Sequence, residues 1–323
     1  MNYRTLGKTG FKVSEIGFGA WGIGGEMWQG SDDAQSLAAL KKALELGVSF
    51  FDTALAYGLG HSEQLVARVR GWTSGTAVIA TKIPPKNRQW PARPGVPFRD
   101  AFPKAYIFES TERSLRNLRV ESIDLQQFHV WSDEWVEADE IWEAVRTLKA
   151  QGKVKAFGIS VNDHQPESVL KALKTGMVDA IQVIYNIFDQ SPETELLPFC
   201  QANGIGVIAR VPFDEGGLTG RVKPDTVFPK GDWRNDYFKG ERKQQLHDRI
   251  EKLKLLLGPE AKTLPELALR FILSNPAVST VIPGMRSISN VETNSAVSDG
   301  RILSSKLLKE LRKHKWVRNF YRG

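Results

Sequence analysis

Four side chains able to move or steer a proton follow short apolar runs in the first half of the chain. Asp52 comes directly after Val48-Ser49-Phe50-Phe51, and Tyr57 lies in the turn Asp52-Thr53-Ala54-Leu55-Ala56-Tyr57-Gly58-Leu59-Gly60-His61-Ser62-Glu63. Lys82 follows Val78-Ile79-Ala80-Thr81, and His129 follows Leu125-Gln126-Gln127-Phe128. A phenol holds its proton to about pH 10, too tightly for an effective donor at neutrality, and a nearby ammonium stabilises the phenolate and lowers that value. Lys82 is suited to be that ammonium, with Asp52 keeping it charged and oriented. His129 is then placed to donate a hydrogen bond to an oxygen that gains negative charge. Taken singly, His129 at a strand end is more often a structural histidine and Lys82 more often a solvated strand end; it is the four in order that point to chemistry. Ser62 with Glu63 reads as the N-cap and acidic first turn of the next helix, over Gln64 to Val69.

The elements that must position these residues alternate. Tyr3 to Leu6 and Phe11 to Val13, separated by Gly7-Lys8-Thr9-Gly10, read as a β-hairpin that plugs one end of a barrel. Strand-like runs then appear at Ile16 to Gly19, Val48 to Phe51, Ala77 to Thr81, Asp124 to Phe128, Val154 to Ile159, Ala180 to Ile184, Gly206 to Ala209 and Thr280 to Ile282. Helical patterns fall between them at Asp33 to Leu46, Lys104 to Leu118, Val136 to Ala150, Pro166 to Lys174, Glu193 to Asn203, Leu246 to Leu257 and Leu264 to Leu273, and Ser304 to Trp316 reads as a terminal helix. Eight strands each followed by helix predict an α/β fold, a (β/α)8 TIM barrel formed by residues 1–323 as one domain. In such a barrel the residues after each strand face one bowl. Two connections, 83–103 and 212–239, exceed ordinary turns and are expected to shape the substrate pocket. Trp21, Trp90, Trp131 and Trp233 fall on the predicted rim as candidate apolar walls, although core packing accounts for an isolated tryptophan as well.

Composition narrows the partners. With 41% hydrophobic and 25% charged residues over 323 positions the chain can bury a large core. Lys and Arg exceed Asp and Glu by 44 − 37 = 7, an excess that favours an anionic small molecule but is too diffuse for nucleic acid. The one dense basic run, Lys306 to Arg322, is interleaved with Leu307, Leu308, Leu311 and Trp316 at helical spacing. A single cysteine, Cys200, excludes an internal disulfide and fits a reducing compartment. The N-terminus lacks the build of a signal peptide and no apolar run spans a bilayer, so a cytoplasmic protein without membrane attachment is expected. His61, His164, His247 and His314 have no cysteine or carboxylate partners at metal-ligand spacing, and no metal site is expected.

The string Asp-Thr-Ala-x-x-Tyr-Gly-x-Gly-x-Ser-Glu at 52–63, with Lys82 and His129, resembles the aldo-keto reductase family over almost the whole chain. The resemblance implies reversible, stereospecific hydride transfer between the nicotinamide of NAD(P)H and a carbonyl carbon, with Asp52, Tyr57, Lys82 and His129 as the catalytic tetrad and Tyr57 as general acid. It implies that Ser160, Asn162 and Gln182 hold the carboxamide, although Val161 separates the serine and asparagine that the family usually has adjacent. Arg210 falls where the family often sets a side chain against the nicotinamide face. Gly284, Met285 and Arg286, followed by Asn290 and Asn294, are similar to the bacterial and fungal Gly-x-Arg segment that wraps the adenosine phosphate and adenine. Arg286 at a helix N-terminus suits a 2′-phosphate, so NADPH is expected over NADH. The implied partner is a small-molecule carbonyl substrate, for a monomer or weak homo-oligomer. The same family includes the β subunits of potassium channels, so a cofactor-binding regulator is the alternative that the motif leaves open.

Overall fold

Strands covered by helices on one face and by barrel contents on the other bury both faces, and that is how the apolar runs behave in the computed structural model of the protein. The structure describes residues 1–25, 27–72 and 77–317; the expected basic run beyond Val317 lies outside them. In chain order the strands are β1 (Tyr3–Thr5), β2 (Lys12–Ser14), β3 (Phe18–Gly19), β4 (Phe50–Asp52), β5 (Val78–Ile83), β6 (Ile123–Phe128), β7 (Val154–Ser160), β8 (Ala180–Ile184), β9 (Gly206–Arg210) and β10 (Thr280–Val281). The helices are α1 (Asp33–Glu45), α2 (His61–Arg70), α3 (Phe98–Ala101), α4 (Lys104–Leu118), α5 (Asp139–Ala150), α6 (Leu170–Lys174), α7 (Leu196–Ala202), α8 (Arg234–Tyr237), α9 (Arg242–Lys254), α10 (Leu264–Leu273), α11 (Ile288–Ser295) and α12 (Ser305–Arg312).

β3 to β10 form one parallel eight-stranded sheet in sequence order. Its two ends meet. Ile16 bridges Val281 and Gly19 bridges Gly284, through Gly17 N to Val281 O at 2.8 Å, Val281 N to Glu15 O at 3.0 Å and Gly19 N to Pro283 O at 3.0 Å. The fold is thus a (β/α)8 barrel, as the alternation predicts. Several helix starts are set by side chains that satisfy free N–H groups: Asp32 accepts from Gln35 N, Thr263 from Glu266 N, Ser287 from Asn290 N and Ser304 from Leu307 N. The helix expected from Val136 begins instead at Asp139, because Asp133–Trp135 forms a separate 3₁₀ turn capped by Ser132. Both long connections carry short helices of their own, α3 in the first and α8 in the second.

The predicted hairpin pairs Tyr3 with Ser14 and Thr5 with Lys12, antiparallel. It closes the lower end of the barrel. Leu6 and Val13 are fully buried there against Phe50, Val78, Leu125, Ala180 and Ile208, and a Cβ on Gly206 would stand only 2.7 Å from Leu6 Cδ1. With its floor filled by hydrocarbon, the barrel keeps its polar side chains for the opposite mouth. Replacing Leu6 by Ala is expected to cost about 2–5 kcal/mol of unfolding free energy by loss of burial and creation of a cavity, read as a lower denaturation midpoint with an unchanged slope.

Candidate active site

Period-two alternation carries the inward face of each strand upward to the mouth. Phe50, Ala80, Ala180 and Ile208 belong to the interior cluster, so Asp52, Lys82, Gln182 and Arg210, each two residues further on, face the same interior one step higher. Three of them meet. Lys82, fully buried, donates to Asp52 Oδ2 at 2.7 Å, to the Thr53 carbonyl at 2.7 Å and to Tyr57 Oη at 3.3 Å. An ammonium has three N–H bonds, and each has an acceptor here. Gln182 completes the set from across the barrel, its Nε2 donating to Asp52 Oδ1 at 2.7 Å.

Tyr57, Lys82 and Asp52 thus form one hydrogen-bonded chain. His129 packs edge-on to the Tyr57 ring at 5.6 Å and to the Trp90 ring at 5.6 Å. Burial, then the positive charges of Lys82 and Arg210, hold the His129 imidazole well below its usual pKa, so the ring is neutral at physiological pH. Tyr57 departs from expectation. Lys82 does pull its pKa down, but burial is the larger effect and Asp52 adds to it, leaving the phenol above its usual value of 10.0. The residue is a firmly held acid, protonated throughout the neutral range.

The turn bearing Tyr57 is also built differently from the predicted cap. α2 starts at His61, with Gly60 as its left-handed N-cap at φ 99° and no side-chain cap. Ser62 lies inside the helix, where its hydroxyl donates to the Ala20 carbonyl at 2.8 Å and accepts from Thr53 Oγ1 at 2.8 Å. Glu63 does fall in the first turn of α2, but it is fully buried. Gly58 sits at φ 61°, and a Cβ there would come within 2.1 Å of the Gly24 carbonyl oxygen, so only glycine lets the turn press against the loop after β3.

Of the tryptophans, Trp21 lies 6.3 Å from the Tyr57 ring and Trp90 borders His129. These two flank the polar group. Trp131 does not: fully buried, it stacks on Phe128 and packs against Trp135 and Trp142, because its position after β6 turns it outward into the layer between strands and helices. Trp233 precedes α8, where its backbone N–H donates to the Met27 carbonyl at 3.0 Å. Trp28, which no motif marks, packs edge-on to Trp21 at 5.7 Å and carries Arg234 over its ring at 4.2 Å.

The residues expected to hold a dinucleotide divide. Ser160 is buried at the end of β7. The Asn162 amide is engaged elsewhere: its Oδ1 accepts from Ala92 N and Trp131 N, both at 3.3 Å, and its Nδ2 donates to Gln165 Oε1 at 3.2 Å. With Val161 inserted, this asparagine ties the 83–103 connection to β7 rather than facing the bowl. Gln182 likewise spends its N–H on Asp52. Arg210 donates to the Val161 carbonyl at 2.9 Å and pairs with Asp163. After β10, Gly284 is exposed and a Cβ on it would meet nothing within 4 Å, whereas Met285 is fully buried. Arg286 lies next, donating to the Gln29 carbonyl at 3.0 Å and facing the Trp28 ring at 5.5 Å. Ser287 caps α11, with Asn290 in its first turn and Asn294 buried further along. A bare glycine backbone, a cation and a helix N-terminus in succession form a donor set suited to a phosphorylated ligand. Among the described residues no helix is long and apolar enough to cross a membrane.

The profile of the Aldo/keto reductase family matches residues 15–315. The chain is 32% identical to "Aldo-keto reductase YhdN" of Bacillus subtilis, covering 96% of this chain and 92% of that protein. It is 29% identical to the "NADH-specific methylglyoxal reductase" of Escherichia coli, covering 90% and 91%. Among solved structures, the glycerol dehydrogenase AKR11B4 from Gluconobacter oxydans superposes with a TM-score of 0.80 at 30% identity, covering 97% of this chain and 94% of that one. A chain whose barrel mouth gathers Asp52, Tyr57, Lys82 and His129, and whose sequence matches the profile almost from end to end, belongs to the aldo/keto reductase family of oxidoreductases.

Proposed function

We propose that the protein is an NADPH-dependent oxidoreductase that reduces an aldehyde or ketone to the alcohol, reversibly, with Tyr57 as general acid. The observation that carries this is the threefold donation by Lys82. Because Tyr57 Oη accepts from Lys82 Nζ, the phenol's own proton is left for another acceptor, which in this reading is the carbonyl oxygen of the substrate. Bound NADPH supplies the hydride to the carbonyl carbon. The chain's residues supply the rest: Tyr57 delivers the proton to the oxygen, the neutral His129 donates a hydrogen bond to that oxygen, and Lys82 holds the phenolate left behind. Asp52, fixed by Gln182, holds Lys82 in place.

For the cofactor, Ser160, Arg210, Gly284, Arg286 and the α11 start with Asn290 and Asn294 are the groups we assign, with Asn162 and Gln182 acting as supports of the site. Arg286 supports NADPH: its guanidinium donates to a carbonyl and faces an aromatic ring, both weaker partners than a phosphate dianion. The Escherichia coli relative is named as NADH-specific, so the choice is settled by binding.

Tyr57→Phe should lower kcat for aldehyde reduction by about 100-fold or more, within the usual contribution of a general acid, while NADPH binding followed by fluorescence stays intact. Repeated turnover of the unaltered protein also separates an enzyme from a cofactor-binding regulator. Arg286→Ala should weaken NADPH by about 2 kcal/mol or more and NADH far less, and equal losses would contradict the phosphate assignment. The pH profile carries the sign of the two shifts. With Tyr57 raised and His129 lowered, kcat/KM for reduction should stay level from about pH 6 to about pH 9 and fall only on the alkaline side, where the acid loses its proton.

A further inference from the structure

Asp52 and Lys82 lie on β4 and β5 and His129 directly follows β6, whereas Tyr57 stands well beyond the end of its strand. It hangs on the turn between β4 and α2, where Gly58, Leu59 and Gly60 are all left-handed at φ 61°, 52° and 99°. Such a run has little shape of its own, and one of the three is not even glycine. The position of the phenol must come from what anchors the turn.

On the β4 side the anchors are backbone: Thr53 N donates to the Ala80 carbonyl at 2.8 Å and Leu55 N to the Lys82 carbonyl at 3.3 Å. On the α2 side they are two buried side chains. Ser62 ties the helix to the ends of β3 and β4 through Ala20 and Thr53. Glu63 ties it to β5 and α4: its Oε1 accepts from Thr81 Oγ1 at 2.6 Å and its Oε2 from Asn117 Nδ2 at 2.8 Å. Thr81 immediately precedes Lys82. Asn117 in turn lies where a Cβ on Gly60 would be, 2.4 Å from its Nδ2, so one carboxyl bridges the strand that carries the amine and the helix that braces the turn. Burying a carboxyl costs free energy unless its oxygens are satisfied, and here burial raises its pKa against the pull of those two donors.

We propose that Glu63 is a positioning residue for the reaction, which sets the distance between the Tyr57 phenol and the Lys82 amine by locking α2 to Thr81 and Asn117. It touches neither substrate nor cofactor. The inference rests on the proposed function, and the tests separate the two.

Kinetics and NADPH binding are measured side by side for Glu63→Gln, Glu63→Leu and Thr81→Val. Glutamine can still accept from Thr81 with its oxygen, so Glu63→Gln should keep kcat within about threefold of the parent, whereas Glu63→Leu should lose roughly 10- to 100-fold, the scale of a misplaced reacting group. NADPH affinity should stay within about twofold in both, since the cofactor segment lies elsewhere on the rim. Thr81→Val, which deletes one hydroxyl at constant volume, should lower kcat in the same sense and keeps the test decisive where Glu63→Leu fails to fold. A Thr81→Val or Glu63→Leu protein with parental kcat overturns the inference, as does parallel loss of kcat and cofactor affinity, or damage in Glu63→Gln equal to that in Glu63→Leu. Failure of the unaltered protein to bind NADPH or to turn over defeats the functional reading, and the inference with it.

Discussion

An ion pair removed from water is the constraint around which this barrel mouth is built. Lys82 and Asp52 are both buried and lie 2.7 Å apart, and two such charges are tolerated only when geometry is good and the remaining donors and acceptors are used. Both conditions hold. The second oxygen of Asp52 takes the Gln182 amide, and the remaining N–H bonds of Lys82 go to the Thr53 carbonyl and Tyr57. The Tyr57 phenol is thus recruited as one of the acceptors that a buried ammonium requires. Stability of the pair and placement of the acid are the same requirement seen from two ends.

The rest of the barrel can be ordered by its distance from that pair. The floor, sealed by the hairpin and Leu6, keeps the interior dry beneath it. The parallel ladders hold the strands in register, so that residues two positions beyond the apolar layer arrive at the mouth together. The aromatic side chains Trp21 and Trp90 then narrow the approach from solvent, and the segment from Gly284 to Asn294 opens beside them.

Much of this was legible in the residues. Eight apolar runs separated by helical patterns gave the barrel, because a buried parallel strand leaves an uninterrupted apolar signature. Asp52, Lys82 and His129 were visible because each directly follows such a run. What stayed hidden depends on contacts between segments far apart in sequence. Nothing near Gln182 shows that its amide reaches Asp52 on the opposite strand. Ser62 and Glu63 have the composition of a cap, and only the close packing of α2 against β4 and β5 turns them inward. Asn162 reads as a ligand-facing amide until the inserted Val161 and the folded 83–103 connection are seen to claim it. Trp131 shows the limit of locating a side chain by the end of its strand, since one step of alternation decides whether it faces the bowl or the helices. The phenol's acidity was misjudged for a related reason: charge spacing can be read from a motif, whereas depth of burial cannot.

The join between β3 and β10 has a consequence for how the molecule comes into being. Those are the two shortest walls of the barrel, two residues each, and they draw together segments from opposite ends of the polypeptide. Closing so long a loop carries an entropic cost that local helix and strand formation do not repay. The ring is therefore sealed only after synthesis has passed the last strand, and until that moment the flank of β3 presents unpaired peptide groups. A nascent chain halted short of Thr280 would hold the proton-handling side chains yet remain an open trough with a sticky margin.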